Sequence, residues 1–152
     1  NSEIKNRYKL IAFGGGPFTL EERRLLKEIG LNKNNILQKN GNDQTLMKYY
    51  QKSSLFVYPS IYEGFGIPPL EAMSFGCPVA CSNSSSIPEV VSNAGAYFDP
   101  YSIQSISKTL ESVLQDDSLR KMLIKKGEKR VKTFSWEKCS LETYNLYEKL
   151  IS

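Results

Sequence analysis

The stretch YPSIYEGFGIPPLEAMSF, residues 58–75, is the most informative part of this sequence. An apolar start leads into two glycines, Gly64 and Gly66, and then into Pro68 and Pro69. Proline suits the first turn of a helix, because its φ is preset and the N–H it lacks would be unpaired there. Glycine lets a bound group approach the backbone closely, since no Cβ stands in the way. The stretch therefore predicts a flexible turn that opens into a helix over residues 68–75.

Two glutamates, Glu63 and Glu71, bracket this turn with seven residues between them. Glu63 falls on the predicted loop and Glu71 about one turn into the predicted helix. The start of a helix favours negative charge by roughly 0.3–1 kcal/mol for an exposed group. Backbone amide donors beside two carboxylate acceptors suit a polyhydroxylated ligand that carries a phosphate.

The longer string EGFGIPPLEAMSFGCPVACSNSSSIPEVV, followed by GAYFDP, carries a family resemblance. It resembles the E-x7-E signature of the retaining GT-B glycosyltransferases of the family 4 kind. In those enzymes the signature lies in the carboxy-terminal domain, which binds the nucleotide sugar. The resemblance extends from about Tyr8 to Trp136, and most of the matching residues lie in this string.

The resemblance implies roles for individual residues. Glu71 would accept hydrogen bonds from the ribose of the nucleotide, and Glu63 would contact the hydroxyls of the donor sugar; these are the predicted catalytic residues. The predicted donor-binding residues are Gly14, Gly15, Gly64, Phe65, Gly66, Ile67, Leu70 and Glu71. The family transfers its sugar with retention of configuration. We expect no metal and no cofactor here, and no residue of the sequence is a convincing nucleophile.

Composition narrows the function classes. The chain has 152 residues, 40% hydrophobic and 24% charged, which predicts one globular domain over residues 1–152. It contains no histidine, which excludes Ser-His-Asp triads and histidine-bearing zinc sites. Of the three cysteines, Cys77, Cys81 and Cys139, the first two flank an apolar run, which predicts buried thiols in a reducing, cytoplasmic compartment. The net charge of +4 comes mostly from scattered lysines and favours a solvated surface over a phosphate-rich partner or an anionic membrane; no nucleic-acid partner is expected.

Short apolar runs alternate with helical patterns along the chain. The predicted strands cover residues 9–13, 35–38, 54–59, 78–81 and 95–98. Such alternation is typical of an α/β fold, a Rossmann-like doubly wound parallel sheet with helices on both faces. We expect the strand order 2-1-3-4-5, with a gap between the first and third strands. Ligands of such sheets bind at the carboxyl ends of the strands, where the glycine turn at residues 14–16, the turn near Gly41 and the central motif are all expected.

Local signals add smaller predictions. Thr19 with Glu22, and Ser86 with Glu89, have the spacing of capping boxes at helix starts. Ser135 is expected to cap the last helix, and Trp136 to anchor that helix in the core. The turn GGGP at residues 14–17 lacks the lysine and serine of a P-loop. It is either a phosphate cradle or a structural turn close to the nucleotide.

The sequence departs from the family at its start. In the family a further strand and helix precede the strand that ends at Gly14, and they carry an arginine and a lysine that clamp the diphosphate. We therefore expect this sequence to be part of a longer transferase, with the acceptor site in an amino-terminal domain. The expected partners are a nucleotide-sugar donor and a glycan or lipid-linked acceptor. Peripheral association of the whole protein with the inner face of a membrane is also expected.

Three function classes remain open from the sequence. The first is a retaining glycosyltransferase that transfers a hexose, with mannose favoured by the IPPLEAM and FDP context. The second is another sugar-nucleotide enzyme of the same architecture, an epimerase or a glucan synthase. The third is a noncatalytic flavodoxin-like or receiver-like module. A receiver needs clustered aspartates after its first strand, whereas this chain has Gly14–Gly16 there.

Overall fold

A computed structural model describes residues 2–32 and 34–151 of the chain. The outermost predicted domain boundaries, residues 1 and 152, lie outside them. The described strands are β1 (Leu10–Phe13), β2 (Ile36–Lys39), β3 (Phe56–Tyr58), β4 (Val79–Ser82) and β5 (Gly95–Phe98). The described α-helices are α1 (Ser2–Arg7), α2 (Leu20–Glu28), α3 (Asp43–Lys52), α4 (Ile67–Ser74), α5 (Ile87–Val91), α6 (Ile103–Gln115), α7 (Asp117–Val131) and α8 (Trp136–Ile151).

The chain divides into two compact units, Asn1–Tyr49 and Tyr50–Ser152. The first unit contains a two-stranded parallel sheet, in which Leu10 pairs with Ile36 and Phe13 with Lys39. Helix α2 begins at the predicted capping box: the Thr19 N–H donates to Glu22 Oε2 at 2.7 Å, and the Glu22 N–H donates to Thr19 Oγ1 at 3.2 Å. That prediction is confirmed.

The second unit contains the three-stranded parallel sheet β3-β4-β5. Its central strand β4 is buried along its whole length, as expected for a parallel strand covered on both faces. Helix α4 packs on α7 where Gly127 leaves room for it, since a Cβ at Gly127 would lie 2.9 Å from Met73 Cγ. The core of this unit is formed by apolar side chains from these elements, among them Met73, Val79, Ile87, Val91, Phe98 and Val113.

The predicted α/β class with parallel strands is confirmed, and all five predicted strands are present within one or two residues of their expected bounds. The strands form two sheets, however, not one continuous sheet. The expected gap between the first and third strands stays a prediction. The orders 2-1 and 3-4-5 inside the two sheets agree with the prediction.

Two local predictions are wrong. Ser86 precedes α5 but makes no side-chain hydrogen bond to the start of that helix; its hydroxyl is used elsewhere, as described below. Trp136 is 79% exposed and is not a core anchor. Ser135 does cap α8 as expected, because its Oγ accepts from the Lys138 N–H at 3.1 Å. The side chains of Tyr144 and Tyr147 on α8 are exposed too.

Candidate functional site

The site begins where the loop after β3 enters α4. This helix starts at Ile67, one residue earlier than predicted, and Gly66 before it has φ +102°. A left-handed φ of this kind disfavours residues with a Cβ, which explains glycine at this position. Since Pro68 and Pro69 have no N–H, the unpaired amides at the helix start belong to Gly66 and Ile67. The Leu70 amide falls where the internal bonds of a helix begin.

Glu63 is held by two hydroxyl groups from its own segment. The Tyr58 hydroxyl and the Ser60 Oγ both donate to Glu63 Oε1, the latter at 2.8 Å. These bonds favour the ionised carboxylate and lower the pKa of Glu63, with the Tyr58 bond as the larger cause. Burial, together with the bond to Glu63, raises the pKa of Tyr58 to about 12. Glu63 is thus a charged acceptor at neutral pH.

Glu71 is less constrained. It lies exposed on α4, and its Oε2 accepts a hydrogen bond from the Tyr50 hydroxyl at 3.4 Å. Tyr50 itself is only 5% exposed, and burial raises the pKa of its hydroxyl, with the Glu71 carboxylate as the next cause. The hydroxyl therefore stays protonated and can donate to the carboxylate.

A row of three aromatic rings connects the two carboxylates; we call Tyr58, Phe56 and Tyr50 the aromatic row. The Phe56 ring lies 5.9 Å from Tyr58 and 5.2 Å from Tyr50, centroid to centroid. Residues 56 and 58 share one face of β3, because side chains alternate along a strand. The hydroxyls at the two ends of the aromatic row hold the carboxylates: Tyr58 of β3 binds Glu63, and Tyr50 of α3, packed against Phe56, binds Glu71.

The segment between β3 and α4, residues 59–66, is here called the motif loop. Serines of the run Ser84–Ser86 fasten it from outside. Ser85 Oγ donates to the Glu63 carbonyl at 2.9 Å and accepts from the Glu63 N–H at 3.3 Å. Ser86 Oγ lies 2.9 Å from the Glu63 carbonyl and 2.8 Å from that of Phe65. The spacing of Ser86 from Glu89 predicted a helix cap, and no sequence signal pointed to the contacts of Ser85.

The glycines Gly14 and Gly15 belong to the first unit. Both have left-handed φ values, +88° and +68°. The Gly14 N–H donates to the Lys39 carbonyl at 3.0 Å, and its carbonyl accepts from Gln38 Nε2 at 3.0 Å. These bonds join the ends of β1 and β2, which favours the structural turn over the phosphate cradle. Their role in donor binding stays a prediction, as does the shared crevice of the three predicted turns.

The cysteines take no part in this site. Cys77 and Cys81 are buried as predicted, and burial raises the pKa of each thiol to about 12, which keeps both protonated. Cys139 on α8 is exposed.

An open trough of about 420 Å³ lies away from the motif, along one face of α7. All of its lining residues belong to that single helix: Ser118, Lys121, Met122, Lys125, Lys126 and Lys129. Polar groups from several elements usually converge on a small-molecule site. The motif has that property, with groups from α3, β3, the motif loop and α4, whereas the trough does not.

Comparison with known proteins gives consistent matches. Residues 1–130 match the family described as Glycosyl transferases group 1. The O-antigen chain mannosyltransferase B of Escherichia coli is 49% identical over 108 residues, which are 71% of this chain and 28% of that protein. The serotype-specific mannosyltransferase WbdA of Escherichia coli is 35% identical over 138 residues, covering 89% of this chain and 17% of that protein.

Among solved structures, sucrose-phosphate synthase from Thermosynechococcus elongatus has a TM-score of 0.78 at 27% identity. The alignment covers 94% of this chain and 38% of the synthase. In each comparison the chain spans well under half of the protein that it resembles.

Proposed function

Because the chain belongs to the glycosyl transferases group 1 family, we propose that it binds the donor substrate, a hexose linked to a nucleoside diphosphate, for a retaining glycosyltransferase. The observation that carries the proposal is the pair of motif carboxylates, each held by a tyrosine hydroxyl of the aromatic row beside the start of α4. The arrangement offers charged acceptors for hydroxyl groups and backbone donors for an anion.

The proposed roles divide the donor between the two carboxylates. Glu71 accepts hydrogen bonds from the ribose hydroxyls, and Glu63 accepts them from the donor sugar. The amides of Gly66 and Ile67 face the negative charge of the diphosphate, which the positive end of the α4 dipole also favours. Charged hydrogen bonds of this type contribute roughly 1.5–3 kcal/mol each.

The reaction that we infer moves the hexosyl group to an acceptor hydroxyl with retention of configuration. The bond from the anomeric carbon to the diphosphate oxygen breaks, and a bond to the acceptor oxygen forms on the same face of the sugar. The leaving phosphate takes the proton of the acceptor, so the protein needs no nucleophile of its own. Backbone amides and positive groups stabilise the developing charge on the diphosphate, without a metal in this scheme.

Mannose is the proposed sugar, because the names of two relatives describe mannosyltransferases. A glycan or a lipid-linked glycan is the proposed acceptor, since one relative acts on the O-antigen chain by its name. Within residues 2–32 and 34–151, no helix has both the length and the apolar character needed to cross a bilayer. Action in the cytoplasm, with the whole protein resting on the inner face of a membrane, completes the proposal.

Calorimetry on the 152-residue chain tests the proposal directly. ADP, GDP, UDP and FMN are titrated separately, and the best nucleoside diphosphate is then compared with its mannose and glucose conjugates. We expect one nucleoside diphosphate to bind, and its mannose conjugate to bind more tightly than its glucose conjugate. Binding of FMN without any nucleoside diphosphate would overturn the proposal in favour of a flavodoxin-like module.

A further inference from the structure

The side chain of Phe65, near the end of the motif loop, contacts the ring of Phe134, which follows α7. The centroids of Phe65 and Phe134 are 5.7 Å apart, and the rings meet edge to face at 88°. Phe134 follows α7 and lies beyond residues 1–130, the part of the chain that matches the family. We propose that Phe134 and Arg130 are positioning residues that hold the motif loop, and with it Glu63, in the conformation that receives the donor sugar. The inference deepens the proposed function and rests on it for its consequence in donor binding.

Arg130, in the last turn of α7, fixes the position of Phe134. Its Nε donates to the Val90 carbonyl at 2.8 Å and its Nη2 to the Glu89 carbonyl at 2.6 Å. The last carbonyls of a helix lack partners inside it, and the negative end of its dipole attracts a cation. The guanidinium carbon also lies 4.6 Å from the centre of the Phe134 ring, a cation–π geometry. Arg130 therefore ties the end of α5 to Phe134.

The contacts form a closed ring, here called the circuit, through Phe65, Phe134, Arg130 and α5. Phe65 meets Phe134, Phe134 meets Arg130, and Arg130 binds the end of α5. At the other end of α5, Ser86 Oγ lies within hydrogen-bond distance of the Phe65 carbonyl, which returns the circuit to the motif loop. The loop is thus supported on two sides, by the Ser86 hydroxyl at its backbone and by the Phe134 ring against the Phe65 side chain.

This support matters because several residues of the motif loop are exposed to solvent. Ile61, Tyr62 and Gly64 are exposed, and two glycines raise the conformational entropy that must be lost when the loop is ordered. A contact that orders a loop before binding removes that cost from the binding step. Loss of the circuit should therefore weaken binding of the sugar, which Glu63 contacts, more than binding of the nucleotide, which Glu71 contacts.

Arg120 provides a matched control. Its Nη1 donates to the carbonyls of Val113 at 2.8 Å and Leu114 at 2.6 Å, so it too binds the last turn of a helix, α6. Its other described contact is with Asp117 on its own helix, not with the motif loop. Arg120→Met removes an arginine that binds the end of α6 and leaves the contacts of Phe65, Phe134 and Ser86 in place. Arg130→Met removes an arginine that binds the end of α5 and also contacts Phe134.

Hydrogen–deuterium exchange of the 152-residue chain without ligand is the first measurement. We expect Arg130→Met and Phe134→Leu to speed exchange of the amides of residues 63–67 by about two- to tenfold, the range that one aromatic pair corresponds to. The amides of residues 63–67 should exchange at the wild-type rate in Arg120→Met. They should also do so in Phe134→Tyr, which keeps the aromatic ring. Equal exchange of the loop in Arg130→Met, Phe134→Leu and Arg120→Met would overturn the proposal.

Calorimetry is the second measurement, with GDP and GDP-mannose or, if another nucleoside diphosphate binds the wild-type chain best, with that nucleotide and its mannose conjugate. The affinity for the mannose conjugate divided by the affinity for the nucleoside diphosphate should fall about two- to tenfold in Arg130→Met and Phe134→Leu. Arg120→Met should keep the wild-type ratio. A general loss of stability lowers the affinity for both ligands by the same factor and does not change their ratio. If the wild-type chain binds no nucleoside diphosphate at all, the proposed function fails, and the exchange measurement still decides whether Arg130 and Phe134 hold the loop.

Discussion

The two motif carboxylates are held in opposite ways. Glu63 sits on a glycine-bearing loop, and its Oε1 accepts from two hydroxyls within five residues of it, those of Tyr58 and Ser60. Its backbone is also fastened by Ser85. Glu71 sits on a regular helix and accepts one hydrogen bond of 3.4 Å, from Tyr50.

The difference shows how much support a functional group needs from its surroundings. A helix fixes the direction of Cα–Cβ for each of its residues, so Glu71 needs only the one long hydrogen bond from Tyr50 and can accept further hydrogen bonds from a ligand. A loop fixes no such direction, and Glu63 is placed by side-chain bonds that also keep it ionised. We therefore expect changes at Glu71 to act on binding alone, and changes around Glu63 to act on both binding and loop order.

The largest expected effect is that of Glu71→Gln. Because this carboxylate is proposed to bind the ribose, present in every nucleoside diphosphate, the variant should weaken GDP and GDP-mannose alike. Loss of one charged hydrogen bond of roughly 1.5–3 kcal/mol predicts a loss of about ten- to a hundredfold in each affinity, measured by calorimetry.

Glu128→Gln is the control for that variant, since it removes an exposed glutamate from α7 and leaves the motif intact. It should bind both ligands as the wild type does. If Glu71→Gln also binds GDP normally, then Glu71 is not a nucleotide ligand and serves only to complement the helix dipole.

Glu63→Gln should have a smaller and more selective effect. This residue is proposed to contact the sugar, so the variant should lose about tenfold in affinity for GDP-mannose, the lower end for a charged bond, and retain its affinity for GDP. Measuring both ligands on the same preparation gives the ratio that separates the two glutamates. An equal loss for both ligands would contradict the proposed division of roles.

The two glycines of the motif loop, Gly64 and Gly66, also differ in how strongly the backbone constrains them. Gly66 has φ +102°, so Gly66→Ala places a Cβ in left-handed backbone at a cost of roughly 1–2 kcal/mol. Gly64 has no such φ and no atom within 4 Å of an added Cβ, so Gly64→Ala should change stability by less than about 0.5 kcal/mol. Thermal unfolding should show a drop in Tm of about 2–8 °C for the first variant and little for the second. Equal drops would mean that Gly66 is not constrained by its φ.

Much of the fold followed from local patterns in the sequence. The capping box of Thr19 and Glu22 and the five strands each depend on residues a few positions apart, and all are present. The division into two sheets was not foreseen as a division, because strand pairing depends on contacts between distant segments. The predicted family is confirmed by the match over residues 1–130.

The candidate site was predictable in its acidic residues but not in what holds them. Tyr50 reaches Glu71 across 21 positions and Ser85 reaches Glu63 across 22, distances at which local spacing carries no signal. Ser86 shows the same limit, since its spacing from Glu89 matched a capping box while its hydroxyl is directed to the motif loop. Trp136 was expected to anchor the last helix in the core, and the structure exposes it.

The smallest expected effect tests the link between Tyr58 and Glu63 through pH. The pKa of Glu63 lies below its ordinary value of 4.5, so the stability that its bonds contribute is present above that value and is lost as pH falls through the lowered pKa. Tyr58→Phe removes the larger of the two causes and should bring the pKa of Glu63 back toward 4.5. A ¹³C titration of the glutamate carboxyls by NMR measures this shift directly.

Tyr50→Phe is the matched control, because it deletes the hydroxyl at the opposite end of the aromatic row and leaves Ser60 and Tyr58 in place. It should leave the titration of Glu63 unchanged. The stability difference between the wild type and Tyr58→Phe should also shrink as pH falls below 4.5, since protonated Glu63 no longer favours the bond. If Glu63 has the same pKa in the wild type and in both variants, the hydroxyl of Tyr58 does not hold this carboxylate. The proposed contrast between a tightly bonded Glu63 and a weakly bonded Glu71 would then be wrong.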